Sequence, residues 1–403
     1  MSDFFQNGTI TTLHRLNKDR AASMERELQT FAKHRPMGLV LPSLFSELKG
    51  PALKPIIDEI SQASYLNEII IGLDNANAVE FAYAREFFNE LPQRHRILWN
   101  DGPRLRQLNL QLIEKGIAPK ELGKGRNVWY CYGYAIASGN SEAIALHDCD
   151  ILTYNRELLA SLFYPVANPA FNFQFCKGYY YRMAEQKING RVCRLLITPL
   201  LRALKKILGP MEYLDYLDSF RYSLSGEFAT RLDTIKEIRI PSDWGLEIGV
   251  LSEMYRNQSH KHICQVEIAD AYDHKHQDLS ADDINTGLSK MSIDITKAIF
   301  RKLATEGVVL SKEVFRSLKA TYYREALDTV EAFYSDACIN GLKFDRHQEE
   351  QTVELFSQHI IRAGEAFLEF PSETPFIPSW NRVVSAIPDV LERLRDAVEE
   401  DNA

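Results

Sequence analysis

The chain has 403 residues, a formal net charge of −8, 45% hydrophobic and 25% charged side chains, a profile that fits a globular protein with a sizeable core. The negative balance speaks against general nucleic-acid binding, no uninterrupted apolar run of about 18 residues predicts a membrane helix, and the opening residues lack the apolar core and cleavage site of a secretory leader. The six cysteines form no CxxC pair, which predicts reduced thiols in a cytoplasmic protein rather than a disulfide framework or a zinc site.

Residues 1–36 are polar and mixed and predict a loose arm with a helix. A regular alternation follows. MGLVLP (37–42) reads as a short buried strand stopped by Pro42, and LKPIIDEISQA (53–63) has helical spacing. NEIIIGLD (67–74) is a second strand ending in an acid, and AVEFAYAREFFNEL (78–91) is a helix. HRILWNDG (95–102) is a third strand closed by Asp-Gly, and PRLRQLNLQLIEKG (103–116) is a helix opened by Pro and closed by Gly. EAIALHD (142–148) is a fourth strand. Strands alternating with helices predict βαβ units and a mainly parallel sheet. Such sheets bind ligands beyond the carboxyl ends of their strands, where Pro42, Asp74 and Asp148 fall.

From about residue 276 the texture changes. Residues 283–306, 312–340, 345–368 and 381–399 carry helical spacing, and FPSETPFIPSWN (370–381) reads as a linker or surface strap. The expected organisation is an N-terminal arm (1–36), an α/β region (37–279) and a helical extension (280–403). Apolar stripes on the extension suit packing on the α/β region or a homodimer interface.

The stretch AIALHDCDILT (143–153) carries the sharpest chemistry. In an extended chain Asp148 and Asp150 point the same way, and two close carboxylates repel unless a cation lies near them. Hard divalent ions prefer such oxygen ligands and bridge them to phosphates. A solvated loop with two acids is the bland alternative. In GKGRNVWYCYGYAIA (123–137), Gly123 and Gly125 flank Lys124 at a helix start, a placement that favours anions, although such turns are common. NGRVCRLL (189–196) sets Arg191 and Arg194 after a turn, where guanidinium can grip phosphate or carboxylate or simply face solvent. LSGEFATR (224–231) offers Glu227, and PSDWGLEIGVL (241–251) offers Glu247, with Asp243 equally placed as a helix cap. IADAYDHKHQD (268–278) brings His274 and His276 beside Asp273, and an imidazole there can complete a metal shell.

The order LVLPSL with Glu47, IGLD, GKGRN, LHDCD, NGRV, GE, WGLEIG and DHKH resembles the glucosyl-3-phosphoglycerate synthases, retaining glycosyltransferases with a GT-A fold, over residues 37 to 280 or so. The resemblance implies a mixed, mostly parallel nucleotide-sugar-binding sheet flanked by helices, with a helical C-terminal extension. It implies transfer of glucose from a nucleotide sugar, UDP-glucose by expectation, to 3-phosphoglycerate with retention, giving a precursor of the compatible solute glucosylglycerate. The implied cofactor is Mg²⁺, or Mn²⁺ or Co²⁺ in its place.

Residue by residue, the resemblance places Pro42, Leu44, Glu47 and Asp74 at the nucleotide, and Gly123 and Lys124 beside the nucleotide sugar. It gives Asp148 and Asp150 to the metal with His274, or His276 as the fallback. Gly190, Arg191 and Cys193 fall to the acceptor, with Glu227 and Glu247 near it; Glu227, Asp150 and Lys124 are the candidate catalytic set. Three places depart from the usual pattern, one of them PSLFSE, which is less acidic than the usual first motif. Cys193 stands where GRVT has a hydroxyl, and Arg126 stands where GKGD has an acid. Rival readings are a mannosyl-3-phosphoglycerate synthase using GDP-mannose, a sugar-phosphate nucleotidyltransferase (whose Gly/Arg-rich loop PSLFSELKG lacks), and a non-catalytic nucleotide-sugar-binding protein.

Overall fold

The computed structural model describes residues 6, 8–119, 123–274, 287–371 and 376–403. Its centre is an eight-stranded sheet: β1 (Thr11–Leu13), β2 (Met37–Leu44), β3 (Leu66–Asp74), β4 (His95–Trp99), β5 (Ala143–Leu146), β6 (Phe175–Tyr180), β7 (Phe228–Arg231) and β8 (Ile263–Ala269). The spatial order is β1-β8-β6-β7-β5-β2-β3-β4. Every pairing is parallel except those of β7, which runs antiparallel to β5 and β6. The sheet is therefore mixed and mostly parallel, as expected.

The strands form because apolar runs alternate between two covered faces. Val40 and Ile70 point into one apolar layer, and Leu39, Leu41, Ile69 and Ile71 into the other. The first layer holds the buried helix Lys124–Ser138 and the C-terminal helices; the second holds Leu53–Ser61, Ala78–Phe88 and Arg156–Ala167. The predicted helices at 53–63, 78–91 and 103–116 appear as Leu53–Ser61, Ala78–Phe88 and Pro103–Glu114. The N-terminal arm does more than expected, since Thr11–Leu13 adds a strand beside β8 before the helix Ala21–Phe31.

In the C-terminal region, Gly287–Thr305, Lys312–Ile339 and Arg346–Glu369 match three predicted helices. The fourth, predicted as one helix over 381–399, is two, Trp380–Ala386 and Val390–Asn402. Pro388 explains the break, because proline disfavours helical geometry at the residue before it. Part of the proline-rich strap lies outside the described residues, and Phe376–Ile377 pairs with Ile240–Pro241.

The apolar stripes of this region close on the α/β layers. Trp380 stacks on Trp129 at 4.3 Å, and each indole donates to a backbone carbonyl of the other segment, Trp129 to Pro378 and Trp380 to Trp129, both at 2.9 Å. Tyr322 donates to Leu195 O at 2.6 Å, and Glu399 accepts from Arg94 and Arg96 at 2.7 Å each. The 279/280 boundary itself lies outside the described residues. No described helix is long and apolar enough to cross a membrane.

Candidate functional site

Topology collects the site at one edge of the sheet. β2, β3 and β5 are parallel, so Leu44, Asp74 and the residues after Leu146 emerge together. β7 is antiparallel, so its beginning rather than its end lies there: Phe228 pairs with Leu146 and with Lys177. Glu227 therefore arrives at the same edge as the D-x-D stretch. β8 ends beside Tyr180, and the chain beyond it returns to the stretch after Asp150. Leu152 N donates to Asp273 O at 2.9 Å, Asp273 N donates to Thr153 Oγ1 at 3.1 Å, and Ile151 bridges to His274.

The two carboxylates sit in unlike surroundings. Asp148 Oδ1 lies 2.5 Å from Lys124 Nζ, which is also 3.4 Å from Glu247 Oε1. Burial pushes the Asp148 carboxyl up, but the Lys124 ammonium outweighs it and holds the acid below its usual value. Among the described residues, no ammonium contacts Asp150. Burial, then repulsion by Asp148, raise its pKa to about 7. Its Oδ1 is buried without a hydrogen-bond partner, and its Oδ2 lies 3.8 Å from His274 Nδ1. His147 is fully buried, burial depresses its pKa, and its Nε2 also lacks a hydrogen bond.

An orphaned carboxylate oxygen beside a second carboxylate and an imidazole is a donor set that fits a hard divalent cation. Among the described residues, no three His, Cys, Asp or Glu side chains converge as a finished shell, so an ion there would take its other ligands from water and phosphate oxygens. His276, the fallback ligand, lies outside the described residues.

Glu227 is fully buried. Its Oε1 accepts from Tyr272 at 2.6 Å, and its Oε2 accepts from Tyr180 and Ser225 at 2.9 Å each. Three hydroxyl donors fix the carboxylate in place. The preceding Gly226 touches the other carboxylate, since a Cβ there would lie 2.6 Å from Asp148 Oδ2. Only glycine lets the two acidic segments come this close.

At the carboxyl end of β3, Asp74 accepts from Asn100 at 2.9 Å and from Asn127 at 3.0 Å. Burial raises its pKa, and those bonds with Arg126 pull it back. Pro42 and Glu47 are half-buried and Leu44 is exposed, where β2 and the turn after it meet the crevice. Gly123 caps the start of the Lys124–Ser138 helix.

In the NGRV loop, which the resemblance gives to the acceptor, Gly190 takes a positive φ of 73°, a conformation that suits glycine. Arg191 is not free. It donates to Glu349 and Gln348 of the C-terminal region at 2.8 Å each. Cys193 is buried, and burial raises its thiol pKa. Gly190 instead abuts Arg182, and Arg182 hydrogen-bonds His274.

The chain has relatives that match it over nearly its whole length. It is 46% identical to the glucosyl-3-phosphoglycerate synthase of Persephonella marina over 403 residues, the whole of both chains. It is 38% identical to that of Methanococcoides burtonii over 400 residues, 98% of this chain and 97% of the relative. The chain belongs to the glucosyl-3-phosphoglycerate synthase family. No protein-family model matches it.

Among solved structures, the fold is shared with glucosyl-3-phosphoglycerate synthase from Mycobacterium tuberculosis in complex with Mn²⁺, UDP-glucose and phosphoglyceric acid. That likeness has a TM-score of 0.52 at 20% identity, over 73% of this chain and 88% of the other. Mannosyl-3-phosphoglycerate synthase from Rubrobacter xylanophilus shares it too, with a TM-score of 0.54 at 20% identity over 75% and 83%. These likenesses establish a GT-A fold for a family member with a helical C-terminal region.

Three site residues escaped sequence reasoning. Lys177, in FCKGYY, is fully buried and donates to Ser225 O at 2.6 Å, which pins the loop before Glu227. Burial pushes its ammonium down to about 8 against the pull of Glu247 and Glu227. A lysine amid strand residues was the available signal. Arg182 and Tyr272 carried none, because their contacts come from distant segments. The departure at Arg126 also finds a place, with Nη2 3.8 Å from Asp74 Oδ1.

Proposed function

We propose that this chain transfers glucose from UDP-glucose to 3-phosphoglycerate with retention, forming glucosyl-3-phosphoglycerate. The observation that carries this reading is the meeting, at one sheet edge, of a paired-carboxylate seat, a lysine and a caged glutamate, in a chain similar over its full length to synthases of that name. Pro42, Leu44, Glu47 and Asp74 serve the nucleotide. Asp148, Asp150 and His274 would hold Mg²⁺ or Mn²⁺, whose chemistry there is neutralisation of diphosphate charge as the nucleotide leaves.

Lys124 adds a fixed positive charge beside Asp148 and favours the developing anion. Gly123 lets the backbone approach the donor. Gly190, Arg191 and Cys193 form the acceptor loop, and Arg182 extends it toward His274. Phosphate recognition by Arg191 requires it to share its guanidinium with Glu349. Glu227 has its lone pairs largely engaged by hydroxyls, which suits orienting the acceptor better than taking its proton. Glu247 keeps Lys124 in place. The acceptor hydroxyl replaces the diphosphate oxygen on the anomeric carbon, and its proton passes to the departing phosphate.

EDTA-treated protein is incubated with UDP-glucose and 3-phosphoglycerate, with and without Mg²⁺, and the product is weighed by mass spectrometry. The reading predicts a hexosyl-phosphoglycerate only when metal and acceptor are both present. UDP release that ignores the acceptor would overturn it.

A further inference from the structure

The two helices that bring Lys124 and Glu247 together share a third piece of chain. Lys124 opens the helix Lys124–Ser138, Glu247 lies in the first turn of the helix Leu246–Asn257, and their side chains meet at 3.4 Å. The segment 240–242 is wedged between these helices. The Pro241 carbonyl lies where a Cβ on Gly125 would go, Ser242 O would be 2.9 Å from a Cβ on Gly123, and the Pro241 ring takes the place of a Cβ on Gly249. The two glycines that flank Lys124, and one two residues beyond Glu247, are therefore bare where this segment presses on them.

The segment is itself held from the C-terminal region. Pro241 pairs antiparallel with Phe376, and Ile240 with Ile377. The Arg239 guanidinium lies 5.5 Å from the Phe376 ring centroid, and that ring would be 3.4 Å from a Cβ on Gly249. Arg239 also ties the segment to the helix of Glu247: its backbone N donates to Glu253 Oε2 at 3.0 Å and its guanidinium to Oε1 at 3.2 Å. Farther along the strap, Pro378 O accepts from Trp129 at 2.9 Å, and the Trp380 ring fills the space over Gly133, both on the helix that Lys124 opens. The strap thus fastens to both helices, and Pro241 is the wedge between them.

We infer that the strap Phe376–Trp380 is a positioning element of the catalytic crevice: it holds Pro241 against Gly125 and Gly249, and so fixes where Lys124 meets Glu247 and Asp148. Pro241 and Phe376 act through Lys124 and Glu247 and are positioning residues. The inference rests on the proposed reaction for one thing, the use of Lys124 beside the diphosphate. Displacing a reacting group by about 1 Å costs on the order of 10²-fold, so a wedge next to Lys124 has leverage on the chemistry.

Gly249→Ala tests it, because alanine favours the helix while its methyl overlaps the Pro241 ring. Pro241→Ala/Gly249→Ala relieves that overlap, and Phe376→Ala withdraws the ring of the strap without adding bulk. Each full-length variant is titrated with UDP by calorimetry and with uridine by ligand-observed NMR, with Mg²⁺ present, and its melting temperature is recorded. Uridine lacks the diphosphate that the proposed reaction sets beside Lys124, so the ratio of the two affinities reads the placement of Lys124 rather than the soundness of the fold. The expected result is a UDP Kd raised about tenfold or more in Gly249→Ala and in Phe376→Ala. The uridine Kd should stay within about twofold, and the double variant should return to within about threefold of the unaltered chain for UDP. An unchanged UDP Kd in the single variants, or UDP and uridine weakened alike, would overturn the inference. If Gly249→Ala does not fold, Phe376→Ala decides alone. Should the unaltered chain bind GDP in place of UDP, the donor reading fails by itself, and the same ratio for GDP and guanosine decides the role of the strap.

Discussion

In the proposed reaction Asp150, Glu227 and Arg182 each make a separate prediction. Asp150 has a carboxyl pKa raised to about 7 by burial and by Asp148. A raised acid is protonated below that pH, and a proton must leave before a cation binds. Apparent Mg²⁺ affinity, read from activity titrations, should therefore rise by about tenfold per pH unit up to about pH 7 and then flatten; a flat profile from pH 5.5 to 7 would remove Asp150 from the metal. Glu227 accepts from three hydroxyls, and an amide in its place would set donor against donor. Glu227→Gln should lower kcat on the order of 10²-fold with the fold intact by circular dichroism, and near-normal turnover would exclude the carboxylate from the site. Arg182, beside Gly190 and bonded to His274, should matter to the acceptor. Arg182→Ala should raise the acceptor KM roughly 10–100-fold; an effect confined to the donor KM would contradict that placement.

Secondary structure decides how these residues meet. β7 runs against its neighbours, so Gly226 and Glu227 come to the carboxyl ends of β2, β3 and β5. Gly226→Ala would set a methyl 2.6 Å from the Asp148 carboxylate. Shifts of about 1 Å at reacting groups cost on the order of 10²-fold in rate, so this variant should be nearly inactive yet stable, and full activity would show that the two acidic segments do not need their close approach. The apolar runs of β2, β3, β4 and β5 were legible in the sequence because buried parallel strands are nearly continuous apolar stretches. The short β1 and the strand FCKGYY were not, the first for its length and the second because Lys177 and Gly178 interrupt its pattern. The D-x-D stretch and Lys124 stood out in the sequence as candidates only, each with a bland alternative, and the fold brings Lys124 to 2.5 Å from Asp148. The Arg191–Glu349 pair could not be read, since it joins residues 158 positions apart.

Over the whole molecule, the C-terminal helices are bonded to the layer that supports the site. Trp380 lies flat on Trp129 of the helix that Lys124 begins, and Tyr322 reaches the turn after the acceptor loop. Trp380→Ala should destabilise the protein by about 3–5 kcal/mol in chemical unfolding, and a change below about 1 kcal/mol would show that the strap is ornamental to stability. In the proposed reaction one crevice joins a glucose donor to a phosphorylated three-carbon acid. The measurement that tests it most directly is a matrix of donors and acceptors with Mg²⁺: UDP-glucose, GDP-glucose, ADP-glucose and GDP-mannose, each with 3-phosphoglycerate, with glycerate and with no acceptor, read by product mass and nucleotide release. Glucosyl-3-phosphoglycerate from UDP-glucose should be the fastest product; faster transfer from GDP-mannose, or transfer to glycerate in preference to its phosphate ester, would contradict the proposed reaction.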